Sequence, residues 1–216
     1  EEMHMIPVSS LEDAIKKGTL QIKKVAAHTG DPLEGVVFEA TFEQDPQLPE
    51  TDANAGKMET YTVRAVTDEQ GIATFTGLPY GEVDVTEIET LKGYVLNSTT
   101  STITIDQEAE ELEFVNHPET TVTLTKVDSV TKAVLEGVEF KLQKQENDEF
   151  VYVDEKGATV TEADAPVFKT DAKGQIILED LPIGEYQFVE TKALPGYQAD
   201  IVAPFTFDAT KLDIEL

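Results

Sequence analysis

Three predicted strands each carry an ionisable or amide side chain on the face whose other side chains are apolar and are expected to be buried. Alternation puts Lys24 on the apolar face of one predicted strand, Glu87 on that of a second and Asn116 on that of a third. A lysine, a carboxylate and a carboxamide are therefore expected together on the core side. Two simpler interpretations exist. The strand ends can emerge into solvent, where Lys and Glu usually lie, or the charges can form a buried ion pair, which adds little stability and leaves the amide unexplained.

The same pattern occurs a second time, which weakens the solvent interpretation. Lys126 and Glu190 hold the equivalent inward positions on two further predicted strands. One ambiguity stays open in the first set, because Glu89 shares the inward parity of Glu87. The spacing to the following Gly-Tyr pair favours Glu87.

These strands belong to an internal repeat. Four ordered matches recur at an offset of 102 or 103 residues: 33–38 with 135–140, 67–71 with 170–174, 77–82 with 180–185, and 92–94 with 195–197. The chain therefore divides into units at 18–118 and 119–216, preceded by an N-terminal segment at 1–17.

Each unit is predicted to be all-β. Short alternating runs at 19–25, 72–76, 83–87 and 111–115 are bounded by Gly, Pro, Asp and Asn, which is typical of a small antiparallel sandwich. The opening segment differs, because a capping-box pattern and a terminal glycine predict a two-turn helix over 10–17.

Composition narrows the function further. The 216 residues carry a formal net charge of −27, which disfavours nucleic acid and anionic membrane surfaces as partners. The absence of cysteine excludes disulfides, thiol catalysis and thiolate metal sites. No apolar run reaches the roughly 18 residues of a membrane span. The three histidines lack metal-ligand spacing, so neither a metal nor a cofactor is expected.

The second unit contains the most specific motif. Residues 186–197, Tyr-Gln-Phe-Val-Glu-Thr-Lys-Ala-Leu-Pro-Gly-Tyr, closely resemble the glutamate-box signature of collagen-adhesin B-type (Cna-B) domains. Residues 124–128 and 135–140 resemble the opening of the same domain. The resemblance extends over nearly all of 18–216. It implies an all-β chain of two tandem immunoglobulin-like, prealbumin-like antiparallel sandwiches.

The resemblance also implies a chemistry. In that family a lysine on the first strand bonds covalently to an asparagine on the last strand, assisted by a glutamate. Carried over, Lys24 would be linked to Asn116 with the help of Glu87, and Lys126 would use Glu190. The strand 212–216 has no asparagine. By analogy, the second acceptor is expected just beyond it, unless that unit forms no bond.

The residue types suit this reaction. Burial favours the neutral amine that can attack, and the same apolar surroundings are expected to keep the glutamate protonated. The acid can then donate a hydrogen bond to the asparagine carbonyl and transfer protons while ammonia leaves. The reaction occurs once per molecule, so the chain is not expected to be an enzyme.

The resemblance implies a protein of the Gram-positive cell surface, extracellular and anchored to the cell wall. No Tyr-Pro-Lys polymerisation motif is present, which favours a minor or basal pilin of a sortase-assembled pilus. Its partners would be other pilin subunits and the cell wall, with host mucus or matrix as a further candidate. Lys16 and Lys17 are candidate sortase lysines. The alternatives are an adhesin stalk and, disfavoured by 7% aromatics and no tryptophan, an accessory domain of a secreted carbohydrate-active enzyme.

Overall fold

The computed structural model describes residues 16–216, and the regular structure of this part of the chain is entirely β. The strands are β1 Lys17–Ala26, β2 Val37–Gln44, β3 Glu59–Val66, β4 Ile72–Pro79, β5 Gly81–Glu89, β6 Ser101–Ile105, β7 Ala109–Asn116, β8 Thr121–Thr125, β9 Glu139–Glu146, β10 Glu149–Val153, β11 Phe168–Lys169, β12 Gln175–Glu179, β13 Gly184–Lys192, β14 Phe205–Phe207 and β15 Asp213–Glu215. The all-β prediction is confirmed for these residues.

The first seven strands form two sheets that share one core. Their orders are β4-β1-β7 and β3-β2-β5-β6. Leu20 and Ile22 of β1 and Val85 of β5 are fully buried. Phe38 of β2 lies edge-on to Phe114 of β7, with ring centroids 5.0 Å apart, so aromatic packing joins the two inner faces.

Strands β8–β15 repeat this arrangement. One sheet has the order β12-β8-β15, and the other has the order β10-β9-β13-β14, with β11 also paired to β9. A single apolar cluster takes residues from both sheets. Its aromatic members are Phe140, Tyr186, Phe188, Phe205 and Phe207. The second repeat is therefore also a sandwich around its own core.

The first and last strands of each repeat are neighbours, since β1 lies beside β7, and β8 pairs with β15 in parallel. In the first repeat the N–H of Thr19 donates to the carbonyl of Glu108, and that of Ala27 donates to the carbonyl of Asn116. Both pairs are 89 residues apart. In the second repeat the equivalent bonds join partners 91 residues apart, Thr121 with Leu212 and Thr125 with Leu216.

A β-bulge follows Glu87 and changes the alternation that the sequence predicts. Phe38 lies opposite Glu87, but the preceding Val37 lies opposite Glu89, so one residue of β5 has no partner across the ladder. Consequently Glu87 is buried and Glu89 is exposed. An equivalent irregularity follows Glu190 in β13.

The described residues group into two compact units. One contains the residues up to Lys24 with Glu34–Glu89 and Ser98–Phe114, and the other contains Val25–Leu33, Thr90–Asn97 and Val115–Leu216. These units follow spatial contacts, whereas the boundaries 18–118 and 119–216 follow the sequence repeat and stay a prediction.

The helix predicted at 10–17 lies mostly outside the described residues, because the structure describes residues 16–216. Its last residue, Lys17, is instead the first residue of β1, because it pairs with Pro79 of β4. Within residues 16–216, no helix is long and apolar enough to cross a membrane.

Candidate functional site: buried lysine–glutamate pairs

The side chain of Lys24 lies in the core of the first sandwich. Its side chain is 0% exposed, and its backbone N–H donates to the carbonyl of Gly71 at 2.8 Å, which fixes this end of β1. The ammonium nitrogen Nζ lies 5.9 Å from the ring centroid of Phe38 and 5.8 Å from that of Phe114. Two aromatic faces therefore line the position of the amine.

Glu87 is the carboxylate that faces this amine. Its Oε2 lies 2.7 Å from Lys24 Nζ, and both side chains are 0% exposed. Glu89, which the sequence left open as the alternative, is exposed as a result of the β-bulge. The pair that the structure brings together is Lys24 and Glu87.

Burial lowers the pKa of Lys24 below its ordinary value of 10.5, while the hydrogen bond and the charge of Glu87 act in the opposite direction. Desolvation is the largest of these effects. The environment therefore favours the neutral amine more than water does, and the neutral amine is the nucleophilic form of lysine.

Asn116 is the last residue of β7 and is also completely buried. Its side-chain Nδ2 donates to the hydroxyl oxygen of Thr90 at 2.7 Å, and its backbone carbonyl accepts from Ala27. Lys24, Glu87 and Asn116, which alternation placed on the inner faces, are thus all buried. Thr90 was missed, because a threonine just after a strand has no distinctive sequence pattern.

The second repeat forms a more open version of the pair. Lys126 Nζ lies 3.0 Å from Glu190 Oε2, with side-chain exposures of 24% and 1%. The N–H of Asp200 donates to the same carboxylate oxygen at 3.3 Å. Gly174, whose carbonyl accepts from the N–H of Lys126, has a φ of +73°. A Cβ there would lie 2.8 Å from the Lys126 carbonyl oxygen, so glycine is needed at this contact.

The register of β15 indicates where an acceptor for Lys126 would have to lie. Ala27 is three residues after Lys24 and binds the carbonyl of Asn116, 89 residues further on. The equivalent position in the second repeat is 129, and the two bonds from β8 to the last strand have a separation of 91 residues. A strand that continued with this separation would place position 220 where Asn116 lies in the first repeat.

Other candidate chemistry is limited in the part of the chain that the structure describes. Residues 16–216 contain no group of three His, Cys, Asp or Glu side chains that could hold a metal. A surface cleft of about 460 Å³, partly lined by Phe42, Met58 and Tyr80, contains none of the predicted site residues.

Several solved structures are similar to this chain. A search of curated proteins found no match. Among solved structures, the chain is similar to the Bacillus anthracis TIE protein (27% identity, 93% of this chain and 33% of that one, TM-score 0.40). It is also similar to a streptococcal ancillary pilin (25%, 94% and 62%, TM-score 0.38) and to the shaft pilin SpaA of Lactobacillus rhamnosus GG (20%, 93% and 96%, TM-score 0.40).

The chain thus spans a third of the length of the first of these structures and under two thirds of the second. The family model for the SpaA prealbumin-like fold domain matches residues 18–118 and again 120–216. Together these two matches cover nearly the whole sequence, and the tandem prealbumin-like prediction is confirmed. The chain belongs to the SpaA prealbumin-like domain family and carries two consecutive copies of that domain.

Proposed function

We propose that this chain is a structural subunit of an extracellular pilus of a Gram-positive bacterium, of the minor or basal type, strengthened by a self-formed isopeptide bond between Lys24 and Asn116. The observation that carries the proposal is the water-excluded Lys24–Glu87 pair in the first sandwich. A buried ion pair contributes little stability by itself, so its place in the core favours a chemical role. Membership of the SpaA prealbumin-like family supports the structural role.

The proposed reaction is an amide exchange. The neutral amine of Lys24 attacks Cγ of Asn116, and protonated Glu87 donates a hydrogen bond to the carboxamide oxygen. The bond from Cγ to Nδ2 breaks as the bond from Cγ to Nζ forms. The proton that the amine loses passes through the Glu87 carboxyl to the departing nitrogen, which leaves as ammonia. No oxidant or cofactor is consumed, and a fold that holds the amine against the carboxamide would raise the effective concentration of the two reactants.

The bond would close a loop of 92 residues, from position 24 to position 116. By the chain-entropy argument developed for disulfides, closing such a loop would increase the free energy of unfolding by about 4–5 kcal/mol. Tension that enters before Lys24 and leaves after Asn116 would then pass through one covalent bond. This property suits a load-bearing surface fibre that has no cysteines.

The partners of such a subunit are other pilin subunits and the cell wall, joined by a sortase. Lys16 is exposed and Lys17 opens β1, so both stay candidates for the sortase attachment. The charge of −27 makes nucleic acid and anionic lipid unfavourable partners.

The intact mass of the purified chain tests the cross-link. We expect a deficit of one ammonia relative to the sequence mass, and no deficit in Lys24→Ala, Glu87→Ala or the nearly isosteric Glu87→Gln. Glu89→Ala is the matched control and should keep the deficit, since that residue is exposed. A wild-type chain of full sequence mass, or a Glu87→Ala chain that lacks ammonia, overturns this part of the proposal.

The pilus role needs its own test in the source cells. An antibody to this chain should detect a ladder of species in cell-wall extracts that resists boiling in detergent. The ladder should disappear when the sortase genes are deleted. A single band at the subunit mass in sortase-competent cells would contradict assembly into a pilus.

A further inference from the structure

The carboxamide of Asn116 has a specific partner on its nitrogen side. Nδ2 donates to Thr90 Oγ1 at 2.7 Å, and Asn116 is completely buried. Thr90 directly follows Glu89, the last residue of β5, so it is three residues beyond Glu87. A hydroxyl from the end of the glutamate strand thus holds one edge of the amide.

In this contact the amide presents its nitrogen edge to the threonine hydroxyl. A carboxamide can rotate about its last torsion to exchange its oxygen and nitrogen edges, and the two edges have opposite hydrogen-bonding character. With Nδ2 bound to Thr90, Oδ1 occupies the other edge. That is the edge on which the acid of the proposed reaction must donate.

The two repeats differ at this position. Glu87 corresponds to Glu190 at an offset of 103 residues, so Thr90 corresponds to Ala193, which has no hydroxyl. Of the two repeats, only the first therefore has a hydroxyl at this position.

We propose that Thr90 is a positioning residue for isopeptide formation, which holds the Asn116 carboxamide by its leaving nitrogen until ammonia departs. This inference rests on the proposed function, because it assigns a role within that reaction. Nδ2 is lost as ammonia, so the hydrogen bond exists only before the reaction. Thr90 should consequently affect how fast the bond forms and leave the stability of the bonded product unchanged.

The test compares the rate of ammonia loss in matched variants. The full chain is purified in urea in its unfolded, uncross-linked form. It is then refolded by dilution, and its intact mass is followed over time. Thr90→Val keeps the shape but removes the acceptor, and should slow the reaction roughly tenfold, the order expected for one lost neutral hydrogen bond. Thr90→Ser restores the hydroxyl and should recover most of the rate.

Thr86→Val, within β5, is the control. It removes the hydroxyl that lies 2.7 Å from that of Thr100 and should leave the rate unchanged. Thermal unfolding of Thr90→Val in the Glu87→Ala background, compared with Glu87→Ala alone, reports any effect on folding. Fully bonded wild type and Thr90→Val should unfold at the same temperature.

The outcomes separate the two proposals. If the wild type never loses ammonia, the isopeptide proposal fails and takes the role of Thr90 with it. If the wild type loses ammonia and Thr90→Val is equally fast, the positioning role alone is wrong. A slow Thr90→Val that Thr90→Ser does not rescue, or a bonded Thr90→Val product that is less stable than bonded wild type, would identify a packing effect.

Discussion

Lys24 and Glu87 form a pair whose charge state controls the proposed reaction. Two forms have the same number of protons, ammonium with carboxylate and amine with carboxylic acid, and only the second can react. Burial lowers the pKa of Lys24, although the carboxylate of Glu87 and the two phenylalanine faces favour the ammonium. The side chain of Lys24 is thus held where its neutral form is favoured more than it is in water.

The rate of ammonia loss should depend on pH in a bell-shaped manner. As the pH falls, the pair gains a second proton and the amine becomes ammonium, which cannot attack. As the pH rises, the pair loses its last proton and the acid is gone. Because the pKa of Lys24 is lowered, this basic limb should lie below pH 10.5. Refolding the unbonded chain in a series of buffers and following its mass measures the profile. A rate that still increases beyond pH 10.5 would show that no acid is required.

At the scale of the strand, alternation predicts the elements that have one buried face. The runs predicted at 19–25, 72–76, 83–87 and 111–115 lie within β1, β4, β5 and β7. Strand β3 was not predicted, because it is exposed along most of its length and has no apolar period to read. The ambiguity at Glu89 has a related cause, since a bulge changes the parity and depends on pairing with β2.

The register of the last strand gives a prediction for the second repeat. A chain continued from Leu216 as a strand, with an asparagine at position 220, should lose a second ammonia, because this position corresponds to Asn116 in the ladder. An asparagine at 219 or 221 is the control, since alternation directs it away from the core. Intact mass before and after Lys126→Ala distinguishes the bonds. Equal ammonia loss from all three positions would show that the register does not select the acceptor.

At the scale of the whole molecule, the two sandwiches share a fold but differ in how their lysine–glutamate pairs are enclosed. Lys24 is fully buried, whereas the Lys126 side chain is 24% exposed. The repeat and the inward charges were readable from the sequence, since both are patterns along the chain. The different enclosure was not, because it depends on tertiary packing, which leaves no periodic signal along the chain.

Under tension the first sandwich should therefore resist unfolding, whereas a variant that lacks the proposed bond should extend. In single-molecule pulling from both termini, Glu87→Ala should release the loop of 92 residues, an additional extension of roughly 300 Å. Wild type should lack this step, and Glu89→Ala should behave like wild type. An extension of that size in a wild-type chain with the ammonia deficit would contradict the proposed position of the bond.

The pairing of the first strand of each sandwich with its last strand also sets the time at which the protein can mature. β1 cannot pair with β7 before β7 has been synthesised, so the first sandwich is incomplete until then. Under the proposed reaction, a chain that is still being synthesised or exported would therefore lack the cross-link and could pass through a narrow channel as an extended polymer. Ammonia would then be released only after the first sandwich has folded, so the proposed bond would be found only in chains that have completed folding.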